Sequence, residues 1–401
     1  MSRRAVIILI IVLESVLLAA AVSLVGVLHW REANTPTTTE PVTTAAPTTT
    51  VPPTTTQETT VPETTVPPTT TEPEPEPTVY TLSFAGDCTL GNFKGDYGSS
   101  GSFIGVVGDN YDYPFANVLT YFENDDFTMV NFEGTLTEST NAVEKTFNFH
   151  GPADYARILT AGSIEAVNLS NNHTYDYGEA GYADTLAALD AEGIPYVETR
   201  GTCLYTTESG LTIGIYANSF YYDPDDMSQK LASLREEGAE IIIVSMHWGV
   251  ERTYSPTADQ QYYARTAIDA GADIVYGHHP HVLQTVEEYN GGIIYYSLGN
   301  FSFGGNQAPS DMETAILQQQ VIREVDGTVH LGELTVIPCS ISSEEYVNNY
   351  QPTPLEPGSD HYLSVFSKLA LTPDVTEPEP TTDPSEEATV TSETAASQGA
   401  D

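Results

Sequence analysis

The chain has 401 residues, with 13 Lys and Arg against 56 Asp and Glu and a formal net charge of −43. Nucleic acids and anionic membrane surfaces attract proteins through basic patches, so this balance excludes both as main partners. The three cysteines, Cys88, Cys203 and Cys339, are too few for a disulfide framework. At most one bridge could form, and buried apolar thiols are the simpler reading.

Arg3 and Arg4 precede an apolar run, Ala5 to Leu28, of 24 residues with one charge, Glu14. A helix spanning hydrocarbon needs about 20 residues. The arginines in front, with Arg31 offset by Glu32, put the N-terminus in the cytoplasm. The competing reading is a signal peptide cleaved at Ala19-Ala20-Ala21, but the run exceeds the roughly 7–15-residue core of such signals. We favour an uncleaved single-pass anchor over residues 1–33. Either reading exports the rest of the chain, which places it at the cell membrane on the extracellular side. Residues 34–78 are nearly pure Thr, Pro, Glu and Val. Nothing there can form a packed core, so the stretch reads as a disordered stalk. At about 3.1 Å per residue such a stalk reaches roughly 140 Å.

From residue 79 the composition changes. Short β-rich runs (TVYTLSFAGD, FTMVNFEG, IEAVNLSNNH, LTIGIYANS, AEIIIVSMHWG, ADIVYGHHPH, GIIYYSLGN) alternate with helical stretches such as Gly181–Glu192 and Ala258–Ala270. Alternation of this kind predicts an α/β domain over residues 79–371. HLGELTVIP and Leu363–Leu371 read as late strands or edge elements. Residues 372–401 turn to Glu, Pro, Thr and Ser again and read as an acidic disordered tail.

In open α/β sheets, ligands bind at the carboxyl ends of strands. Here the candidate strands end, in order, at Asp87; at Asn131 and Glu133; at Asn171, Asn172 and His173; at His247; at His278, His279 and His281; and at Asn300. Five of the nine histidines fall in these motifs. Such convergence points to one site, and imidazole with carboxylate and amide oxygen is the ligand mixture for Zn, Mn or Fe. In GHHPH, His279 and His281 flank Pro280 and can address neighbouring metals. In NNHxxDYG, Asn172 offers a ligand oxygen. His173 can hydrogen-bond a leaving group, with Asp176 orienting its ring. His247 is a ligand candidate in an HWG motif followed by Glu251, and Trp248 reads as packing or a pocket wall. Glu133 reads as a bridge between metals or a cap. The SLGNF segment carrying Asn300 reads as closing the site by hydrogen bonds.

FAGDCTLG, VNFEGTLT, NLSNNHTYDYG, SMHWGVE, YGHHPHVLQ and YYSLGNF occur in the order and spacing of the CapA-type proteins of capsule and poly-γ-glutamate synthesis, which the chain resembles over about residues 79–345. The resemblance implies a calcineurin-like metallophosphatase fold, a four-layer β-sandwich flanked by helices, with a dinuclear centre of divalent metals. Carried over by position, it makes Asp87, Glu133, Asn172, His247, His279 and His281 the ligands and His173 the catalytic histidine. Asn131, Asn171, His278 and Asn300 remain for binding substrate or closing the site. Most metallophosphatases open with Asp-x-His; here Asp87 is followed by Cys88-Thr89, which leaves one histidine ligand without a counterpart. The expected function is metal-dependent hydrolysis in making an extracellular anionic polymer. The alternative is non-catalytic binding, anchoring or export of that polymer beside other membrane capsule-synthesis proteins.

Overall fold

The structure, a computed structural model, describes residues 75–96, 98–220 and 223–373. The expected anchor over 1–33, nearly all of the stalk and nearly all of the acidic tail lie outside the described residues. Among the described residues, no helix is long and apolar enough to cross a membrane.

The alternating runs fold into two mixed sheets. The first runs Thr353–Pro354, Val329–Ser340, Glu313–Arg323, Thr78–Thr89, Phe127–Phe132, Ala166–Asn168, Tyr196–Val197, and Asn300–Phe303 pairs with the far end of Thr78–Thr89. The second runs Val286–Tyr289, Gly292–Tyr295, Ile274–His278, Ile241–His247, Thr212–Ser219, Thr202–Thr206. In each, the central strands are parallel; three antiparallel strands close one side of the first, and one antiparallel strand closes each edge of the second.

Phe127–Phe132 and Ile241–His247 are buried at every position, as befits strands covered on both faces. Alternate side chains serve different cores, because a strand points successive residues to opposite faces. Met129 and Ile243 lie between the sheets with Leu82, Phe84, Ile215 and Tyr276. Val130 faces the other way, onto Phe103, Phe122, Ile158 and Leu189 of the helices Phe103–Val107, Leu119–Phe122, Ala156–Ala161 and Gly178–Glu192. Ile242 and Val244 meet Met227, Leu231, Ala264 and Ile268 of the helices Pro224–Glu236 and Ala258–Asp269. The order across the molecule is therefore helices, sheet, sheet, helices.

Three readings need amending. Leu363–Leu371 is not a strand: Asp360–Leu369 is a helix, with Ser359 accepting from Tyr362 N at 3.2 Å as its N-cap. Val365 and Leu369, one turn apart, bury one face of it, and that spacing outweighs the local β-branched and aromatic content. Asn300 does not end a strand; it opens Asn300–Phe303. Ala166–Asn168 is short, so Asn171, Asn172 and His173 stand on the loop after it. Cys88, Cys203 and Cys339 are all free, the first and last fully buried and Cys203 half-buried.

Candidate metal centre

Register decides which residues meet. In the first sheet Asp87 is level with Asn131 on one side and Asn300 on the other. In the second, His247 is level with His278. The ladder is irregular on both sides of Asp87, and irregularities of this kind re-aim a side chain. Gly86 permits it: a Cβ there would stand 2.2 Å from the Gly299 carbonyl oxygen, to which Asp87 N donates at 2.8 Å.

Asp87 and Glu133 are wholly buried. Asn131 Nδ2 donates to Asp87 Oδ1 at 2.8 Å, while Asp87 Oδ2 lies 3.1 Å from His281 Nδ1. Burial alone would raise the Asp87 carboxyl, but His278 and His281 hold it well below the usual carboxylate range. Glu133 is different. Neither of its oxygens has a hydrogen-bond partner among the described residues. Its Oε1 is 3.7 Å from His173 Nε2 and 3.8 Å from both His247 Nε2 and His281 Nε2. Burial pushes its carboxyl up to about 8. His281 is opposed by burial, yet attraction to Glu133 and Asp87 raises it to about 10. Burial takes His247 well below its ordinary value and His279 down to about 4, so both rings are neutral, the form that ligates metal.

A buried carboxylate with two bare oxygens is costly unless something positive meets it. Among the described residues, Nδ1 of His247 and Nδ1 of His279 are also buried without a hydrogen-bond partner. Asn172 Oδ1 and His247 Nε2 are 2.6 Å apart, within hydrogen-bond reach, which brings both polar atoms to one point. Asp87, Glu133 and His247 offer ligand atoms within 4.8 Å of one another, and Glu251, His279 and His281 do the same. This donor set fits divalent cations, with the predicted six residues, Asp87, Glu133, Asn172, His247, His279 and His281, gathered around one hollow. His279 and His281 take left-handed backbone, φ 94° and 56°, at about 1–3 kcal/mol each.

Beside the carboxylates, His173 Nδ1 is 2.7 Å from Asp176 Oδ2, and Asp176 also accepts from Phe149 N at 2.7 Å. The Phe149 ring lies 4.4 Å from the imidazole, fixing its plane. Burial lowers the His173 pKa, and Asp176 offsets part of that. A pocket opens over the site, lined by His173, Glu251, His281, Asn300, Phe149 and Phe303.

The remaining predicted residues brace the ligands. Asn131 Oδ1 accepts from Asn168 at 2.9 Å and Asn171 at 3.2 Å. Asn300 Oδ1 is 2.9 Å from His281 Nδ1. His278 lies beneath the site, 1% exposed, with Nδ1 3.3 Å from Asp87 Oδ1; it supports Asp87 and does not reach the pocket. Trp248 is core, its Nε1 donating to Tyr296 O at 3.0 Å.

Sequence reading missed three residues and named a fourth, Glu251, only as part of the HWG motif. Lys145 Nζ, on the 138–148 loop, is 2.5 Å from Asp176 Oδ1 and donates to Asn172 O at 2.9 Å. Thr89 Oγ1 donates to the Glu133 carbonyl at 2.8 Å, so the residue at the absent histidine's place steadies a ligand. Asn168 anchors Asn131, and Glu251 joins the ligand hollow. Strand-end position was the available signal; it pointed to Asn168 and Thr89 only weakly, to Glu251 as a neighbour of His247, and to Lys145 not at all.

Residues 81–305 match the model of a family described as "Bacterial capsule synthesis protein PGA_cap". Among curated proteins, the chain is 31% identical over 261 residues to "Capsule biosynthesis protein CapA" of Bacillus anthracis, covering 57% of this chain and 62% of that one. It is 32% identical over 252 residues to "PGA biosynthesis protein CapA" of Bacillus subtilis (strain 168), covering 56% and 66%. The chain thus spans less than two thirds of the length of these relatives. Among solved structures, the Haemophilus influenzae NAD nucleotidase NadN is similar at TM-score 0.39 and 13% identity, over 74% of this chain and 63% of that one. The yellow lupin purple acid phosphatase PPD1 is similar at TM-score 0.33 and 10% identity, over 74% and 57%. Likenesses that loose say nothing of shared activity. The family match covers the strand-end motifs from Asp87 to Asn300, and the chain belongs to the bacterial capsule synthesis protein PGA_cap family.

Proposed function

We propose that the domain is a calcineurin-like, metal-dependent hydrolase acting on an anionic polymer of the cell surface or its precursor, with poly-γ-glutamate the first candidate. The observation that carries this is Glu133: fully buried, without a hydrogen bond on either oxygen among the described residues, and within 3.8 Å of three imidazoles. Divalent cations bound there supply Lewis acidity and a water acidified toward neutral pH. The chain does the rest. Asp87, Glu133, Asn172, His247, His279 and His281 hold the cations. Asp176 holds the Nδ1 proton of His173 and leaves Nε2 facing the site, placed to give a proton to the leaving atom. Lys145 pairs with Asp176 and ties down the Asn172 backbone. A polyanion approaching a protein of this acidity meets repulsion, which bound cations offset.

The apolar run Ala5–Leu28 and the Thr/Pro-rich stretch behind it support a single-pass anchor with the domain outside the cell. The test of activity is an assay of poly-γ-glutamate and generic phosphodiesters with and without chelator. Cleavage that ignores the chelator sinks the metal-dependent reading.

A second reading is favoured by Thr89, which supplies no ligand where Asp-x-His would: the domain binds, anchors or exports the polymer beside other membrane proteins without cleaving it. Full restoration of capsule by His173→Ala in a deletion strain selects this reading; failure with intact folding and metal content selects hydrolysis.

A further inference from the structure

The ligand atoms fall into two groups of unequal depth. Asp87, Glu133 and His247 are completely buried. Glu251, His279 and His281 also offer ligand atoms within 4.8 Å of one another, but Glu251 is exposed and the His281 side chain is 17% exposed. Glu251 and His281 both line the open pocket, together with His173.

Exposed glutamates are common and usually mean nothing. This one is held. It lies on the turn after Ile241–His247, and that turn is tied to the histidine loop at both ends. Trp248 N donates to His278 O at 3.1 Å, and Arg252 N donates to Pro280 O at 2.8 Å. Gly249 takes φ 82°, and a Cβ there would meet the Gln260 amide at 2.7 Å. The histidine side asks for a partner independently. His279 is 8% exposed, and its Nδ1 is buried without a hydrogen bond among the described residues. Two imidazoles and a carboxylate on one face hold a divalent transition metal and leave its other positions open. The count also fits. Cys88 is buried in the core and Thr89 is bonded to the Glu133 carbonyl, so neither supplies the ligand missing after Asp87.

We propose that Glu251 is a metal ligand: with His279 and His281 it forms the outer of two cation positions, the one that exchanges with solvent and faces substrate, while Asp87, Glu133 and His247, with Asn172 beside them, form the inner. This rests on the metal-dependent reading above. The outer ion is the weaker bound, because one of its ligands is a solvated side chain, whereas the inner ligands are completely buried.

The test is metal stoichiometry on the full-length chain in detergent, reloaded with Mn²⁺ or Zn²⁺, desalted and measured by plasma mass spectrometry. The wild type is expected to hold two ions and Glu251→Gln one. Glu236→Gln, a surface carboxylate distant in sequence from every ligand motif, is expected to hold two. Titration calorimetry is expected to show two phases in the wild type, with the weaker phase lost in Glu251→Gln and His279→Ala. Circular dichroism confirms the fold of each variant. Two ions of unchanged affinity in Glu251→Gln overturn this inference and leave the metal-dependent reading standing. One ion in both wild type and variant does the same. A wild type that holds none overturns both.

Discussion

Nδ1 of His173 lies 2.7 Å from Oδ2 of Asp176, and the other oxygen of that carboxylate is 2.5 Å from Nζ of Lys145. The imidazole is therefore oriented by a carboxylate that a lysine holds in place, and its other nitrogen points at the ligand hollow. If His173 is the general acid, Asp176→Asn lowers turnover by about 10²-fold and His173→Ala by about 10²–10⁴-fold. Metal content stays at the wild-type value in both. Turnover measured beside metal analysis checks this, and undiminished turnover in His173→Ala removes the acid from the scheme.

Glu133 supplies a prediction with two opposite signs. Glu133→Gln removes a carboxyl that burial pushes up to about 8, so above that pH the metal-free protein melts higher than metal-free wild type. The same change removes a central ligand, so added Mn²⁺ or Zn²⁺ no longer raises the melting temperature. In the wild type a cation at 100 times its Kd contributes about 2.7 kcal/mol. Melting curves with chelator and with metal, on both proteins, read the crossover.

Thr89→Val keeps the shape of the side chain and removes its hydroxyl from the Glu133 carbonyl, 2.8 Å away. Leaving that buried carbonyl short of a donor costs about 1–3 kcal/mol in denaturant midpoint terms. Loosening the residue that carries a ligand weakens metal binding by about 10-fold. Calorimetry separates the two effects.

Far from the metal residues, Thr128 gathers two carboxyls: its N donates to Glu165 Oε2 at 2.6 Å and its Oγ1 to Asp125 Oδ2 at 2.7 Å. Burial pushes Glu165 up to about 7 and Asp125 up to about 6. Both groups bind protons more tightly folded than unfolded. Their contribution is thus present at acid pH and lost as pH rises from about 4 to about 7. Glu165→Gln removes part of that slope. Its melting temperature is expected to exceed wild type above pH 7 and to meet it below about pH 5.

The strand-end rule made most of the site legible, because parallel strands with apolar runs deliver their terminal polar residues to one edge. Asp87, Glu133, His247 and the GHHPH histidines were readable on that ground alone. Lys145 was not, since the 138–148 loop has no periodicity to place it. Nor was the depth of His278: adjacent to two ligand histidines in sequence, it points inward, toward Asp87. The last helix was misread because Val365 and Phe366 carry β-like content, while the one-turn spacing of Val365 and Leu369 decided the fold.

Asp87, Glu133 and Asn172 stand at the edge of one sheet, and His247, His279 and His281 at the edge of the other. The buried group of Asp87, Glu133 and His247 draws on both sheets, so no cation waits on the unfolded chain in the geometry found there. The two halves must dock first, through the apolar layer around Phe84 and Tyr276. Metal is then a seal on a finished assembly and not the seed of it. A chain threaded unfolded across a membrane would take its ions from whichever compartment it folds in, and its cargo would record the metal supply of that side.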